Sequence, residues 1–260
     1  MTQFIDADDL RQSFVVMKNE IIKTLRAKKA LLYLALVFAV LALETALPYL
    51  VGDGLKGEAE MIYGEYLTMA SLLVLLAATL FGSYTIVSEF EERTALVLFT
   101  RPIKKSSIFI GKFLSCYLIG AVIMAVYYVF VVIIALAVTG DVISSVGKSF
   151  VVMLSYLFAC TGVAMLISSF FKKGGTSAVM TFMTILLFIS IVTGVLTLNN
   201  IDPWFMMDHA SGAITGCISE YAEETAGLKY MGCAENSCVL FAWGVATLIV
   251  AYVKFLKREF

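Results

Sequence analysis

Gly147-Lys148-Ser149 is the nearest approach to a phosphate-binding loop in these 260 residues, and its spacing fails. The pattern needs a glycine five residues before Gly147, where the chain has Val142. A Ser-His hydrolase needs a base aimed at its nucleophile from another element. The single histidine, His209, instead sits in His209-Ala210-Ser211-Gly212, two residues from the serine along the chain. Soft donors gather nearby: Met206, Met207, His209, Cys217, Cys233 and Cys238. Copper favours such ligands, but methionine beside Trp204 and Phe205 suits interfacial packing, and no metal site is expected. Cys217, Cys233 and Cys238 are disulfide candidates if that stretch faces an oxidising compartment, with the pairing left open. Cys116 and Cys160 fall inside apolar runs and read as small core residues.

Two sets of charged residues remain. Glu44 is a lone carboxylate in an apolar run just before Pro48, and an acid there faces a protein interior, a wet cavity or the nearby interface. It is a candidate for a substrate path, set against a snorkelling or helix-pairing role. The stretch 88–105, Ser-Glu-Phe-Glu-Glu-Arg-Thr-Ala-Leu-Val-Leu-Phe-Thr-Arg-Pro-Ile-Lys-Lys, places dense charge between two long apolar runs. It offers Glu89, Glu91 and Glu92 for charge pairing that specifies a partner. Leu96, Leu98 and Phe99 supply apolar anchors, and Pro102 ends a helix.

The elements that position these residues are membrane helices. Hydrophobic residues make up 60% of the chain and charged ones 15%, too little charge for a soluble domain of this length. Runs long enough to cross the hydrocarbon core cover about Ala30–Val51, Tyr63–Val87, Ile108–Thr139, Phe150–Phe171, Thr176–Leu198 and Val239–Phe255. They are apolar throughout, where membrane strands would alternate. The fold class is therefore all-α: a polytopic protein with six transmembrane helices, forming one domain over residues 1–260. The third run is long enough to tilt or to extend beyond the lipid.

Orientation comes from the cations. With both termini cytoplasmic, sixteen of the nineteen Lys and Arg residues face inward and only Lys56, Lys148 and Lys229 face outward. The net charge of −1 thus hides a strong polarity across the membrane and gives no reason to expect nucleic acid. Residues Met1–Leu10 are acidic and lack the basic region of a cleaved signal, so the first span is expected to be retained. Before that span, 11–29 reads as an amphipathic interfacial helix. Phe14, Met17, Ile21 and Leu25 share one face, while Asn19, Lys23 and Arg26 lie opposite, toward anionic lipid. In the fifth run the small residues Ser177, Ala178, Ser190 and Gly194 permit close helix packing.

Ser88-Glu89-Phe90-Glu91-Glu92-Arg93-Thr94, then Thr100-Arg101-Pro102-Ile103, then Gly111-Lys112 resembles the loop between the second and third spans of type-2 ABC exporter permeases. There the pattern runs roughly Ser-Glu-Arg-Glu-Glu-Gly-Thr, Arg-Pro-Ile and Gly-Lys. The chain departs from it at Phe90 and Arg93. The resemblance takes in the basic amphipathic helix, six spans and a long last external loop, and so covers essentially the whole chain.

The resemblance implies that 88–107 is a cytoplasmic coupling loop fitting a groove on a separate ATPase subunit, with Glu89, Glu91, Glu92, Arg93, Thr94, Leu98, Arg101 and Pro102 as coupling residues. ATP and Mg would be bound by that partner and no cofactor by this chain. It further implies a second permease copy or a related permease, a cell-membrane location, and export of an unidentified substrate by alternating access. The extracytoplasmic loop 199–238, with Asp202, Pro203, Trp204 and Phe205, resembles the outer re-entrant region that could gate the exit. A non-transporting scaffold driven by the same motor, or an ion-coupled transporter, are the alternatives. The second would normally carry several intramembrane charges, and only Glu44 qualifies.

Overall fold

A computed structural model describes residues 7–52, 59–91, 104–218 and 232–257. Every element among them is helical, as backbone groups in lipid must bond within their own segment. Helix α1 (Ala7–Arg26) precedes six helices long and apolar enough to span a membrane. These are α2 (Lys29–Val51), α3 (Ala59–Glu89), α4 (Lys105–Thr139), α5 (Val146–Phe170), α6 (Gly174–Leu198) and, after two short helices α7 (Met207–Ser211) and α8 (Ala213–Gly216), α9 (Cys233–Lys257).

The spans occur where the apolar runs predict them, but all six begin earlier, and the second and the last also end later. Hydropathy reports contact with lipid, whereas the hydrogen-bonded helix continues into residues such as Lys148 and Glu235. One consequence is a correction: residues 233–238 belong to α9, so the loop expected over 199–238 is shorter at its far end. Another is that α1 starts before residue 11 and takes in the acidic residue Asp9, whose negative charge suits a helix N-terminus. Lys28, at φ 59°, closes α1 with its N–H on the Leu25 carbonyl and turns the chain into α2.

Helices α3 and α5 form the middle of the bundle, while α2, α6 and α9 are the most exposed spans. The core is rich in tyrosine, and Tyr33, Tyr63, Tyr66 and Tyr127 are fully buried. Tyr33 Oη donates to the Leu73 carbonyl at 2.7 Å, tying α2 to α3. Where α5 meets α9, a Cβ at Gly244 would stand 2.2 Å from the Phe158 ring, so only glycine admits that ring, which also stacks on Phe241 at 4.9 Å.

Helix α3 is irregular along its second half. A π-helical stretch, Ala78–Gly82, is followed by a short α-helical piece, a turn at Ile86 and a last helical segment, Val87–Glu91, which carries α3 past the end of its apolar span at Glu89. Hydroxyl and thiol groups answer backbone groups along this stretch: Ser83 Oγ bonds the Thr79 carbonyl, and Cys116 Sγ donates to the Phe81 carbonyl at 3.3 Å. The amide groups of Ile86 and Val87 both donate to Ser168 Oγ in α5 at 3.2 Å. π-Helical interruptions of this kind bend helices and are frequent at functional sites.

Candidate functional site

The end of the bundle that carries α1 also holds the start of α4 and the end of α3, and one lysine joins all three. Lys112 Nζ lies 2.6 Å from Glu20 Oε1 of α1 and 2.7 Å from Glu89 Oε1 of α3, with 3% of its side chain exposed. The preceding glycine makes this approach possible. A Cβ at Gly111 would meet the Ser13 carbonyl at 2.6 Å and the Val16 side chain at 2.8 Å, so α1 lies directly on the backbone of α4. A second pair, Lys104 Nζ to Asp9 Oδ2 at 2.7 Å, fixes the other end of α1, and Ser107 Oγ donates to the Asp9 carbonyl at 3.3 Å. Buried pairs of this kind gain little net stability because desolvation opposes them, but they fix register.

The bundle-facing side of α1 therefore includes Asp9, Ser13, Val16 and Glu20, and it overlaps the apolar stripe read in the sequence only in part. Phe14 and Leu25 of that stripe are 61% and 51% exposed. Met17 and Ile21 of the stripe are half-buried, and Ile21 packs against the main core, so the apolar stripe is shared between the bundle and the surroundings.

This geometry corrects the reading of Glu89. Its place in a charged stretch predicts an outward, partner-facing carboxylate; the structure buries it against Lys112. Glu91 is exposed, yet its Oε2 accepts the Gly174 N–H at 3.0 Å, where α6 begins. Lys29 at the start of α2 sits over the Tyr84 ring, 3.8 Å from its centre. The last turns of α3 are thus fastened to α2, α4, α5 and α6, and through Lys112 to α1. Glu92, Arg93, Thr94, Leu98, Arg101 and Pro102 lie outside the described residues. Nothing in the residue pattern singled out Ser168, Asp9 or Glu20 as partners here. The one available signal was Lys112 itself, a lysine inside the long apolar third run.

A second polar group lies toward the other end. Tyr127 Oη contacts Glu44 Oε2 at 3.2 Å and donates to the Tyr66 carbonyl at 2.5 Å, while Thr45 and Tyr66 share a hydroxyl contact at 3.0 Å. Glu44 is half-buried and joins α2 to α4. Next along α4, Tyr128 bonds Ser149 of α5 at 3.1 Å, and Ser149 donates to the Ile214 carbonyl of α8 at 2.5 Å.

Helices α7 and α8 fold back into the bundle, burying Met207, Ala210, Ala213 and Ile214 in the main core. Of the gate candidates, Pro203 is buried, whereas Asp202, Trp204 and Phe205 are exposed. Trp243 Nε1 of α9 donates to the Phe205 carbonyl at 2.7 Å and fixes this corner. His209 is buried, and among the described residues no group of three His, Cys, Asp or Glu side chains could hold a metal ion.

Cys217 and Cys233 form a disulfide that closes the segment between α8 and α9, leaving Cys238 as a free, exposed thiol. A loop of this length constrains the unfolded chain by about 3 kcal/mol in the chain-entropy model. Cys217→Ser is accordingly expected to lower the melting temperature in detergent, and reductant to lower that of the wild type but not of the variant.

Burial raises the Asp208 carboxyl above the usual carboxylate range, against the opposing effects of a hydrogen bond with Ser190 and of His209. The folded state therefore favours the protonated acid. Its contribution to stability is present below the carboxylate range and is lost as pH rises through the raised folded value. Acidification toward the ordinary carboxylate range should stabilise the wild type relative to Asp208→Asn, as read by paired thermal melts.

Residues 4–253 match the family model described as ABC-2 family transporter protein. The chain belongs to the ABC-2 transporter family. A comparison with curated proteins finds no match. For an ABC-2 family member the six apolar helices are those of a multi-pass membrane subunit of an ABC transporter, a subunit that carries out transport without itself being catalytic. In this ABC-2 chain the Gly-Lys pair, Gly111-Lys112, has a plain physical role, in which the glycine admits α1 and the lysine ties α1 to the end of α3.

Proposed function

We propose that this chain is the permease subunit of an ATP-driven exporter, moving a hydrophobic or amphipathic substrate outward by alternating access. A separate ATPase subunit supplies ATP and Mg and docks on the segment 88–107. The observation that carries this reading is the fastening of the last turns of α3 to the other helices at the α1 end. A push on the segment after Glu91 would be passed to α1, α4, α5 and α6 together, which is what coupling requires.

Sidedness follows the cations, with the α1 end cytoplasmic. The disulfide at the opposite end suits an oxidising exterior. A second permease copy, identical or related, would cover exposed apolar faces of α6 and α2, the two spans least buried within the chain. Ser177 is not free for that seam, because its hydroxyl donates to the Ser83 carbonyl at 2.8 Å. Asp202, Pro203, Trp204 and Phe205 would form the outer gate. Glu44, held by Tyr127, acts in helix pairing close to the path rather than as its only polar group.

Reconstitution of the chain with its ATPase in liposomes tests the coupling role. The double variant Glu92→Lys, Arg101→Glu is expected to lower permease-dependent ATP hydrolysis by about tenfold, through lost charge pairing at the docking surface. Hydrolysis at the wild-type level would remove the coupling assignment.

A further inference from the structure

The hydroxyl groups around Glu44 have no proton to spare for it. Tyr127 Oη lies 2.5 Å from the Tyr66 carbonyl, a separation that two oxygens reach only with a hydrogen between them, so its one proton is committed there. The same Tyr127 oxygen is 3.2 Å from Glu44 Oε2 and has only lone pairs left to face it. The Thr45 hydroxyl donates to the Leu41 carbonyl at 2.7 Å, so in the Thr45–Tyr66 contact at 3.0 Å the proton comes from Tyr66. Glu44 Oε1 is buried and, among the described residues, meets no hydrogen-bond partner. A carboxylate only accepts, so an ionised Glu44 would have no donor on either oxygen. The charge that acts on it, Glu65 of α3, has the same sign. The other titratable groups around the cluster are the hydroxyls of Tyr49 on α2, Tyr66 on α3, and Tyr127 and Tyr128 on α4. A charge placed in this way is discharged by taking up a proton.

We infer that Glu44 is a proton-binding site: it is held as a neutral carboxylic acid that donates to Tyr127, and the contact between α2 and α4 closes with that proton bound. The proton completes a chain from Glu44 Oε2 through Tyr127 Oη to the Tyr66 carbonyl, with one hydrogen between each pair of oxygens. When α2 parts from α4, water reaches the carboxyl group, the O–H bond breaks and the proton passes to water, leaving a hydrated carboxylate. The seam has room for such a movement. A cavity of about 420 Å3 lies between the two helices, with Phe38, Thr45, Tyr49 and Phe130 among its walls. Each opening and closing here releases and retakes one proton, whatever force drives it. Because the closed contact holds the additional proton, acid favours it and alkali weakens it.

The test is infrared difference spectroscopy of the full chain in mild detergent at neutral pH. The wild type is expected to show the carbonyl stretch of a protonated carboxylic acid, a band that Glu44→Gln loses and Asp208→Asn keeps. Tyr127→Phe, which removes the acceptor, should shift that band to the position of an unbonded acid. The glutamine amide supplies an N–H donor where the acid has its O–H, so Glu44→Gln should keep the fold, as elution volume and helical spectrum check first. A second readout follows the contact itself. Phe38 and Phe130 pack edge to face at 5.1 Å across the seam. With both replaced, as Phe38→Cys and Phe130→Cys, a short thiol reagent should cross-link α2 to α4 less at alkaline than at acidic pH, measured relative to the same pair carrying Glu44→Gln. Absence of a band that depends on Glu44 would overturn the inference, as would a band that Tyr127→Phe leaves in place. Cross-linking whose pH dependence is the same with glutamine at position 44 would equally overturn it.

Discussion

Lys112→Ala is expected to cost about 3–5 kcal/mol of stability, because it leaves the largely buried Glu89 carboxylate and the partly buried Glu20 carboxylate without the cation between them. The loss should be local before it is global. Helix α1 should lift from α4, and a protease should cut near residues 20–28 well before the spans unfold. Replacing all three groups, as Glu20→Gln, Lys112→Met, Glu89→Gln, should restore most of the stability, since neutral groups of similar size lack the desolvation cost. The two variants then separate structure from coupling. If the triad transmits force, the triple variant will insert and melt like the wild type while its ATP hydrolysis no longer responds to substrate. A triple variant with normal response would leave the triad a structural staple.

Ser168→Ala should be nearly as damaging, for a different reason. Its hydroxyl oxygen accepts the amide protons of Ile86 and Val87, and both residues are buried. Deleting it strands two backbone donors where water does not reach, at about 1–3 kcal/mol each. Ser155→Ala, whose hydroxyl bonds a carbonyl of its own helix, is the control and should cost less than about 1 kcal/mol. The measurement is the melting temperature of each protein in the same detergent, together with hydrogen exchange at Ile86 and Val87. Fast exchange confined to these amides in Ser168→Ala would show that the bend in α3 depends on this one side chain. Equal melting of the two alanine variants would show that another acceptor serves the bend.

These expectations rest on contacts that the order of residues reveals unevenly. The six spans were legible because lipid solvation sorts residues by polarity over twenty or so positions, a signal that survives errors of a few residues. Their ends were less so: Val146 and Cys233 start helices whose first turns are polar, and polarity there looks like loop. The site was legible in part. Gly111-Lys112 and the glutamates of 88–92 stood out by type, but the sense of Glu89 did not. A carboxylate in a charged stretch reads as solvent-facing, and its inward turn is set by a lysine on another span and by the register of α3 after its π-helical stretch. Ser168 carries no sequence signal at all, since a serine in an apolar run most often bonds its own helix. The disulfide pair likewise needed three dimensions, with Cys217 and Cys233 brought together by the fold-back of α7 and α8 while Cys238 faces outward on α9.

The central claim is that 88–107 connects these spans to a motor, and one measurement addresses it most directly. The chain is purified from its own membrane in mild detergent, the co-eluting proteins are identified by mass spectrometry, and the eluate is assayed for ATP hydrolysis. An ABC-type ATPase is expected to co-elute with the wild type and to be lost from Leu98→Asp, while that variant remains inserted and keeps α1 docked. A folded chain that brings no ATPase with it, or a Leu98→Asp protein that keeps both partner and hydrolysis, would contradict the claim.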